Sequence, residues 1–313
     1  MKYLVSRPAL LAASVLLPLG AHAQAFRTYL ASYGSDANAG CTVSAPCRLL
    51  PAALNAVLDG GEVWILDSAN FNAGTVDIGK SVSIIAVPGQ VASIVAAGGL
   101  PAISISTPNL KIGLRNIVIP RNANNPGTNG IDISSNSLLS VEDCLFSNLA
   151  NNGIFAHGAA SVIHVKNSVF RNVASFAVLA EGGPVVNITN SQILSSNGVW
   201  AYATAASSTT VNVTDSTISG ASFSAVYARA IVPGAEAKVY LTRTTIHHSG
   251  TALQSETANG NGAATIYVGG SMISESSNGW YIFNPGASIV SYGNNQFSGN
   301  AANVGAMTSN PLQ

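Results

Sequence analysis

A short phrase of alternating apolar residues returns along most of the chain. Each copy is an apolar alternation followed by Asn or Asp, a small residue, one variable residue and a bulky apolar residue. The clear copies are 141–146, 165–170, 188–193 and 213–218, and looser ones are 114–119, 241–246 and 268–273. Their third residues lie 27, 24, 23, 25, 28 and 27 positions apart. A period in the twenties with strand-type alternation predicts a solenoid.

Each repeat also holds a second short strand after a turn signal. These strands are predicted at 130–133, 153–156, 177–180, 198–201 and 225–228. Strands this short bury their apolar side only when successive turns stack on one another. Stacking gives one interior column of Ile154, Val178, Val199 and Val226, and another of Phe146, Phe170, Ile193, Ile218 and Ile246.

The repeat pattern separates the solenoid classes. A leucine-rich repeat needs Leu at fixed positions and a helical half, and a β-propeller needs antiparallel blades of about 40 residues. Neither pattern is present in the sequence. We therefore predict an all-β, single-stranded parallel β-helix, right-handed because parallel crossovers have that hand. The Asn or Asp of each phrase is expected where the coil bends, laddering with its copies above and below.

The N-terminal part predicts a cap on this solenoid. Apolar spacing over 49–58, with Pro51 in the first turn and Gly60 and Gly61 as the stop, predicts one short amphipathic helix. That helix is expected to cover the open end of a first coil at 63–66. The predicted organisation is thus a cap at 24–62 and a parallel β-helix domain at 63–313.

The first residues have the features of an export signal. Lys2 and Arg7 precede an apolar stretch at 9–19, and 21–23 supply small residues at a peptidase site. Pro18 interrupts the stretch before it is long enough to span a membrane. We predict a Sec-type signal peptide at 1–23, no span in the mature chain, and a secreted or periplasmic protein.

Three cysteines are spaced unequally along the chain. Cys41 and Cys47 lie six apart in a turn-rich stretch, which predicts a local disulfide in an oxidising compartment. A metal site would need further Cys or His nearby, so no metal site is predicted. Cys144 takes the small-residue position of the repeat, which favours a buried hydrophobe over a reactive thiol.

Composition and charge narrow the classes of function. Charged residues make up 8% of the chain, with 13 basic and 13 acidic side chains, against roughly 25% in an average soluble domain. Apolar residues reach 47%, which excludes a disordered chain. Zero formal net charge removes the basic footprint of a nucleic-acid-binding protein.

The entry segment and the coils together resemble a known group of proteins. The segment 27–36, the two cysteines, the short helix, the glycine pair and the Asp-Ser or Asn-Ser coils are similar to secreted bacterial β-helix proteins of the pectate-lyase-like superfamily. The resemblance spans the whole mature chain. It implies the fold and allows polysaccharide lyase, glycoside hydrolase, esterase or non-enzymatic functions. No cofactor is predicted from the residues themselves, and calcium enters only through this resemblance.

The sequence lacks the catalytic motifs of that superfamily. The acidic residues are too scattered for the calcium ligands of a pectate lyase, and Arg115 and Arg121 lack the usual Arg-Pro spacing. A polygalacturonase-like Gly-His-Gly is approached only around His157, without an Asp pair or Arg-x-Lys after it. The Asp, Gln and Arg set of a pectin methylesterase is also missing. Whether the protein is an enzyme stays open.

Strand alternation assigns two columns of side chains to the outer face, because the residue after each interior one points outward. The first column is Asp132, Phe155, Leu179, Trp200, Tyr227, Gln254 and Tyr281. The second is Ser134, His157, Glu181, Tyr202, Arg229, Glu256 and Phe283. We expect Trp200, Tyr202 and Tyr227 to form an exposed aromatic strip.

Aromatic faces stack on sugar rings, so the strip suits an extended glycan. The predicted ligand-binding residues are Phe155, Trp200, Tyr202, Tyr227 and Tyr281. The catalytic candidates are His157, Glu181, Arg229 and Glu256. The leading hypothesis is a secreted protein that binds, with or without cleaving, a polysaccharide or cell-surface glycan. The alternative is a non-enzymatic structural or adhesive protein of the cell surface or extracellular space, in which the coils form a rigid rod and the strip contacts a partner protein. Separately, loops that cover the aromatic side chains would leave the strip with a structural role. The oligomeric state is not predicted.

Overall fold

The computed structural model describes residues 24–310, and the predicted signal peptide lies outside them. Three parallel β-sheets wind around one apolar core, with 12, 10 and 10 strands. Each coil contributes one strand to each sheet in turn, and each strand pairs with the equivalent strand of the next coil. The predicted parallel β-helix is therefore confirmed.

The strands fall into sheets as follows. Sheet 1 contains β1 (Ala25–Leu30), β2 (Val57–Ile65), β5 (Val82–Ala86), β8 (Lys111–Arg115), β11 (Leu138–Glu142), β14 (Val162–Lys166), β17 (Val185–Thr189), β20 (Ser208–Thr214), β23 (Glu236–Thr242), β26 (Ala263–Gly269), β29 (Ala287–Ser291) and β32 (Thr308–Ser309). Sheet 2 contains β4 (Val76–Asp77), β7 (Ile103–Ile105), β10 (Ile131–Ile133), β13 (Ile154–Ala156), β16 (Phe176–Glu181), β19 (Asn197–Ala203), β22 (Ser224–Ala230), β25 (Thr251–Thr257), β28 (Asn278–Phe283) and β31 (Ala302–Val304). Sheet 3 contains β3 (Ala69–Asn70), β6 (Ala92–Ser93), β9 (Ile117–Pro120), β12 (Leu145–Ser147), β15 (Val169–Arg171), β18 (Gln192–Leu194), β21 (Thr217–Ser219), β24 (Thr245–His247), β27 (Met272–Ser274) and β30 (Gln296–Ser298).

The third residue of each repeat phrase makes the bend from sheet 1 to sheet 3. Every one of these residues has a left-handed backbone, with φ between 47° and 59°. They are Asn116, Asp143, Asn167, Asn190, Asp215, Arg243 and Gly270. Asn, Asp and Gly reach this conformation most readily, which explains why they recur there.

Side chains at the bend connect neighbouring coils. Asn190 Nδ2 donates to Asn167 Oδ1 at 2.7 Å, and Asn167 Nδ2 donates to Asp143 Oδ1 at 3.2 Å. The next residue of each phrase points inward, where Ser191 Oγ donates to its own coil and accepts the backbone N–H of Ser168. The expected ladder is confirmed, and a second, buried serine ladder runs beside it.

The core consists of the predicted interior columns. Val178, Val199 and Val226 are fully buried on sheet 2, and Phe146 stacks on Phe170 with ring centroids 4.5 Å apart. Each coil thus closes the apolar surface of its neighbours, and the regular inward alternation fixes which side chains point out.

The N-terminal helix is shorter than predicted. Helix α1 (Leu50–Ala56) buries Leu50 and Leu54 against the first strands, in line with a cap. The prediction that it continues to residue 58 is wrong, because Val57 adopts extended backbone and pairs with β1. Sheet 1 therefore begins inside the segment expected as a cap. Between residues 24 and 310, no helix has the length and apolarity to cross a membrane.

The cysteines lie as predicted. Cys41 and Cys47 form a disulfide in the loop between β1 and α1. Cys144 is buried and occupies the position that Ser168 and Ser191 fill in the following coils. Burial disfavours the thiolate and raises the pKa of Cys144 to about 12.

The left-handed bend predicts that two ladder asparagines differ in the stability lost when each is replaced by alanine. Asn190 and Asn212 each donate to the preceding coil, but Asn212 lies in a strand. Asn190→Ala is expected to cost about 2 kcal/mol, because it loses the hydrogen bond and strains a left-handed residue. Asn212→Ala should cost about 1 kcal/mol, since it loses only the bond. Urea unfolding of both variants measures this, and Asn190→Gly should recover part of the loss. Equal losses of unfolding free energy in Asn190→Ala and Asn212→Ala would contradict this prediction.

The burial of Cys144 predicts an inert thiol. Because the other two cysteines are paired, Cys144 is the single free thiol of the chain. We expect no reaction with a thiol reagent in buffer at neutral pH and one equivalent after unfolding in denaturant without reductant. Rapid labelling of the native protein would contradict the buried position.

Candidate functional site

The two predicted outward columns are present on sheet 2, in the predicted register. Across successive coils Leu179 pairs with Trp200, Trp200 with Tyr227, and Tyr227 with Gln254. In the second column Tyr202 pairs with Glu181 on one side and Arg229 on the other, and Arg229 then pairs with Glu256. Local alternation was sufficient to predict both columns.

The expectation that Tyr227 is exposed is wrong. Its side chain is only 4% exposed, and Leu179 and Gln254 beside it are also buried. Trp200 and Tyr202 are half-buried. The middle of the first column is therefore covered, and the accessible part of the strip lies at Trp200 and Tyr202.

Two aromatic residues that the strand pattern missed pack against Tyr227 and Trp200. Phe223 packs edge-on against Tyr227 at 5.7 Å and is itself 48% exposed. Phe176 lies 5.1 Å from Trp200 and 6.5 Å from Phe223. Phe223 precedes its strand and Phe176 begins one, so inward–outward alternation did not assign them. Their aromatic character next to glycine- and serine-rich turns was the only signal.

The rings form one continuous cluster. Trp200 stacks on Tyr227 with centroids 5.1 Å apart and on Tyr202 with centroids 4.6 Å apart. Part of the indole surface is therefore already used within the protein. We call Phe176, Trp200, Tyr202, Phe223 and Tyr227 the aromatic cluster.

Polar groups border the cluster on its C-terminal side. Tyr227 Oη donates to Glu256 Oε2 at 2.6 Å, and Gln254 Nε2 donates to the same oxygen at 3.4 Å. Arg229 Nε lies 3.3 Å from Glu256 Oε1. Burial, and then the bond to Glu256, raise the pKa of Tyr227 well above its ordinary value. Glu256 is therefore held by three neighbours.

Two shielded nitrogen atoms lack hydrogen bonds among the described residues. They are Trp200 Nε1 and Arg229 Nε, the latter close to Glu256 but without hydrogen-bond geometry. A buried donor without an acceptor costs about 1–3 kcal/mol. Both atoms are shielded from solvent, so this cost is borne by the packing of the aromatic side chains around them.

A second polar group lies towards the N-terminal end of the same face. His157 Nε2 is 2.9 Å from Asp132 Oδ1, and Asn129 donates to the other carboxylate oxygen at 3.1 Å. Phe155 stacks on the imidazole with centroids 4.4 Å apart. Asp132 was placed in the outward column but was missed as the group that orients His157.

The predicted residues thus do not form a single constellation. Tyr202, Arg229 and Glu256 gather around the aromatic cluster, with Glu181 one coil before Tyr202. Phe155 and His157 lie further along the face. Tyr281 lies beyond Gln254 and stacks on Phe283 at 5.8 Å. Within residues 24–310, no three His, Cys, Asp or Glu side chains gather closely enough to hold a metal ion.

The bond from Tyr227 to Glu256 predicts a measurable stability loss. Tyr227→Phe removes one charge-assisted hydrogen bond while keeping the ring, so unfolding should become easier by about 1–3 kcal/mol at neutral pH. Tyr202→Phe is the matched control, because no bond from the Tyr202 hydroxyl is seen in the described part of the chain. Equal stability of Tyr227→Phe and wild type would contradict the bond.

The raised pKa of Tyr227 adds an alkaline dependence. The unfolded phenol ionises near pH 10, whereas the folded one stays protonated, so wild type should lose stability as pH rises above about 10. Tyr227→Phe lacks this contribution and should show a smaller loss between pH 9 and pH 11. Parallel pH profiles of the two proteins would contradict the assignment.

No protein-family model matches this chain, and no curated protein matches it. Among solved structures, it is similar to an alginate lyase from Paenibacillus sp. str. FPU-7, at 13% identity and a TM-score of 0.52, covering 91% of this chain and 100% of that one. It is also similar to a GH136 lacto-N-biosidase from Eubacterium ramulus, at 12% identity and a TM-score of 0.48, covering 90% and 67%. The chain therefore shares the parallel β-helix fold of that alginate lyase.

Proposed function

We propose that this protein binds an extended polysaccharide along the outer face of sheet 2. The observation that carries the proposal is the row of aromatic and polar side chains on successive coils, from Phe155 and His157 to Trp200, Tyr202 and Arg229. Coils lie about 4.8 Å apart, close to the length of one sugar unit. A linear glycan can therefore contact several coils at once.

The exposed parts of the aromatic cluster suit sugar rings. Tyr202 and Phe223 offer accessible aromatic surface, and aromatic surface packs against the apolar side of a pyranose. Arg229 and Glu181 are half-exposed beside them and can bind hydroxyl or carboxylate groups. The neighbour with the TM-score of 0.52 is an alginate lyase, which supports a carbohydrate as the ligand class.

Only a few side chains on this face are candidates for catalysing cleavage of the glycan. Glu181 and Glu256 are three coils apart, about 14 Å by strand spacing, which exceeds the separation that hydrolases use. Glu256 is also occupied by Tyr227 and Arg229. His157 is exposed and oriented by Asp132, so it is the first residue to test as a base. This arrangement favours a lyase over a hydrolase.

A non-enzymatic structural or adhesive protein is the second candidate. The burial of Tyr227 and the stacking of Trp200 on two rings favour it, because these side chains then stabilise the rod itself. The disulfide between Cys41 and Cys47 supports an oxidising compartment for either function. A secreted or periplasmic location is part of both proposals.

The test is a panel of polysaccharides offered to the mature protein. Alginate, polygalacturonate and neutral glucans are compared by affinity electrophoresis, with and without calcium. We expect retardation on at least one polymer, weakened at least about tenfold in Tyr202→Ala and Trp200→Ala. Tyr240→Ala is the matched control, since Tyr240 stacks on Tyr267 on the outer face of sheet 1.

The same panel of polysaccharides also tests whether the protein cleaves any of them. New reducing ends and absorbance of unsaturated products distinguish hydrolysis from elimination, and His157→Ala should abolish an elimination. Unchanged turnover in His157→Ala would overturn its assignment. Retardation that survives in both aromatic variants, or silence across the panel, would overturn glycan binding on sheet 2 and favour the structural or adhesive protein.

A further inference from the structure

A separate cavity opens on sheet 1, near the N-terminal end of the solenoid. It encloses about 510 Å³ and is lined by Trp64, Ile85, Pro88, Arg115 and Asp143. A smaller recess of about 250 Å³ shares Ile85 and Arg115 with it. Small-molecule sites usually have volumes of 300–1,000 Å³, so the cavity has the size of a ligand site. None of its residues belongs to sheet 2.

The Trp64 ring in this cavity is held in one position. Trp64 Nε1 donates to Glu62 Oε2 at 2.9 Å, and the Arg27 guanidinium lies over the ring at 4.3 Å. Arg27 itself is paired with Glu62 at 2.7 Å. A tryptophan fixed in this way offers an aromatic surface at little entropic cost on binding.

The wall opposite the strands is also fixed. It is the turn 86–89 after β5, whose Pro88 is exposed at the cavity. Asn116 Nδ2 donates to the carbonyl oxygens of Ala86 and Val87, at 3.3 and 3.2 Å. The left-handed residue of the next coil thus holds this wall in place.

A glycine deepens the recess beside the cavity. Gly113 lies in the middle of β8, pointing outward between Ser83 and Ser140. Its backbone is not left-handed, and the nearest atom to a Cβ built there is Ser83 Oγ at 3.3 Å, a tight contact that rotation of the serine side chain can relieve. Neither conformation nor backbone crowding demands glycine, and glycine inside a strand often marks the close approach of a ligand.

The charges around the cavity indicate the ligand. Arg115 Nε lies 3.3 Å from Asp143 Oδ2, and both side chains are well exposed, so each keeps free hydrogen-bonding positions. Glu142 lines the recess. Carboxylates therefore balance or exceed the cationic groups, which disfavours an acidic sugar. Paired Arg and Asp groups beside an aromatic ring suit the hydroxyls and apolar face of a neutral pyranose.

We propose that this cavity binds a neutral sugar unit of a glycan, with Trp64 and Pro88 packing on the ring, Arg115 and Asp143 binding its hydroxyls, and Gly113 leaving room for it. The site lies on a different sheet from the aromatic cluster and does not depend on the function proposed there. A glycan bound at both sites would contact the outer faces of sheet 1 and sheet 2.

The test is isothermal titration calorimetry of the full mature protein with neutral gluco-, manno- and galacto-oligosaccharides, with oligogalacturonate as the acidic comparator. We expect at least one neutral oligosaccharide to bind and the oligogalacturonate to show no binding that depends on Trp64. Trp64→Ala should weaken neutral binding at least about tenfold. Tyr240→Ala, on the same sheet but outside the cavity, should leave it unchanged.

Gly113→Val distinguishes loss of the binding site from loss of the fold. Valine suits a strand, so thermal stability should be unchanged or higher, while its side chain fills the recess and should weaken neutral binding at least about tenfold. The proposal is overturned if no neutral oligosaccharide binds, or if binding survives in Trp64→Ala and Gly113→Val. If neutral binding is lost in Trp200→Ala but retained in Trp64→Ala and Gly113→Val, the site lies on sheet 2 instead.

Discussion

The structure depends on one bend, repeated in seven successive coils. A left-handed residue turns the chain from sheet 1 to sheet 3, and where a serine follows it, that serine connects the bend to the neighbouring coils from inside. Backbone groups at so sharp a corner would otherwise be left without partners in the core. Because each bend is satisfied by its neighbours, the coils stack in register, and both outer faces inherit that register.

Sequence reasoning succeeded where the determinant is local. The bend residues, the interior columns and the outward columns follow from alternation and from the preference of Asn and Asp for left-handed backbone. It failed at the end of α1, where Val57 favours pairing with β1 over one more helical turn. That choice depends on a strand 27 residues away or more, which no local pattern records.

The candidate site also combines features that local sequence predicts with features that it does not. Strand alternation correctly placed Trp200, Tyr202 and Tyr227 on one face. It could not show that Phe223 packs on Tyr227 and Phe176 on Trp200. Likewise the pairing of Asp132 with His157 joins two coils, and the cavity at Trp64 combines an aromatic ring, a turn and an ion pair from successive coils. Side-chain cover and cavities are properties of the assembled surface.

The ladders at the bend also bear on how such a chain can change over generations. Outside their own coil, Asn190 and Ser191 bond to the coils directly before and after them. A duplication or deletion of one whole coil would therefore restore the same bonds at the new junction. The length of the rod, and with it the reach of its outer faces, is a trait that recombination can adjust without redesigning the core.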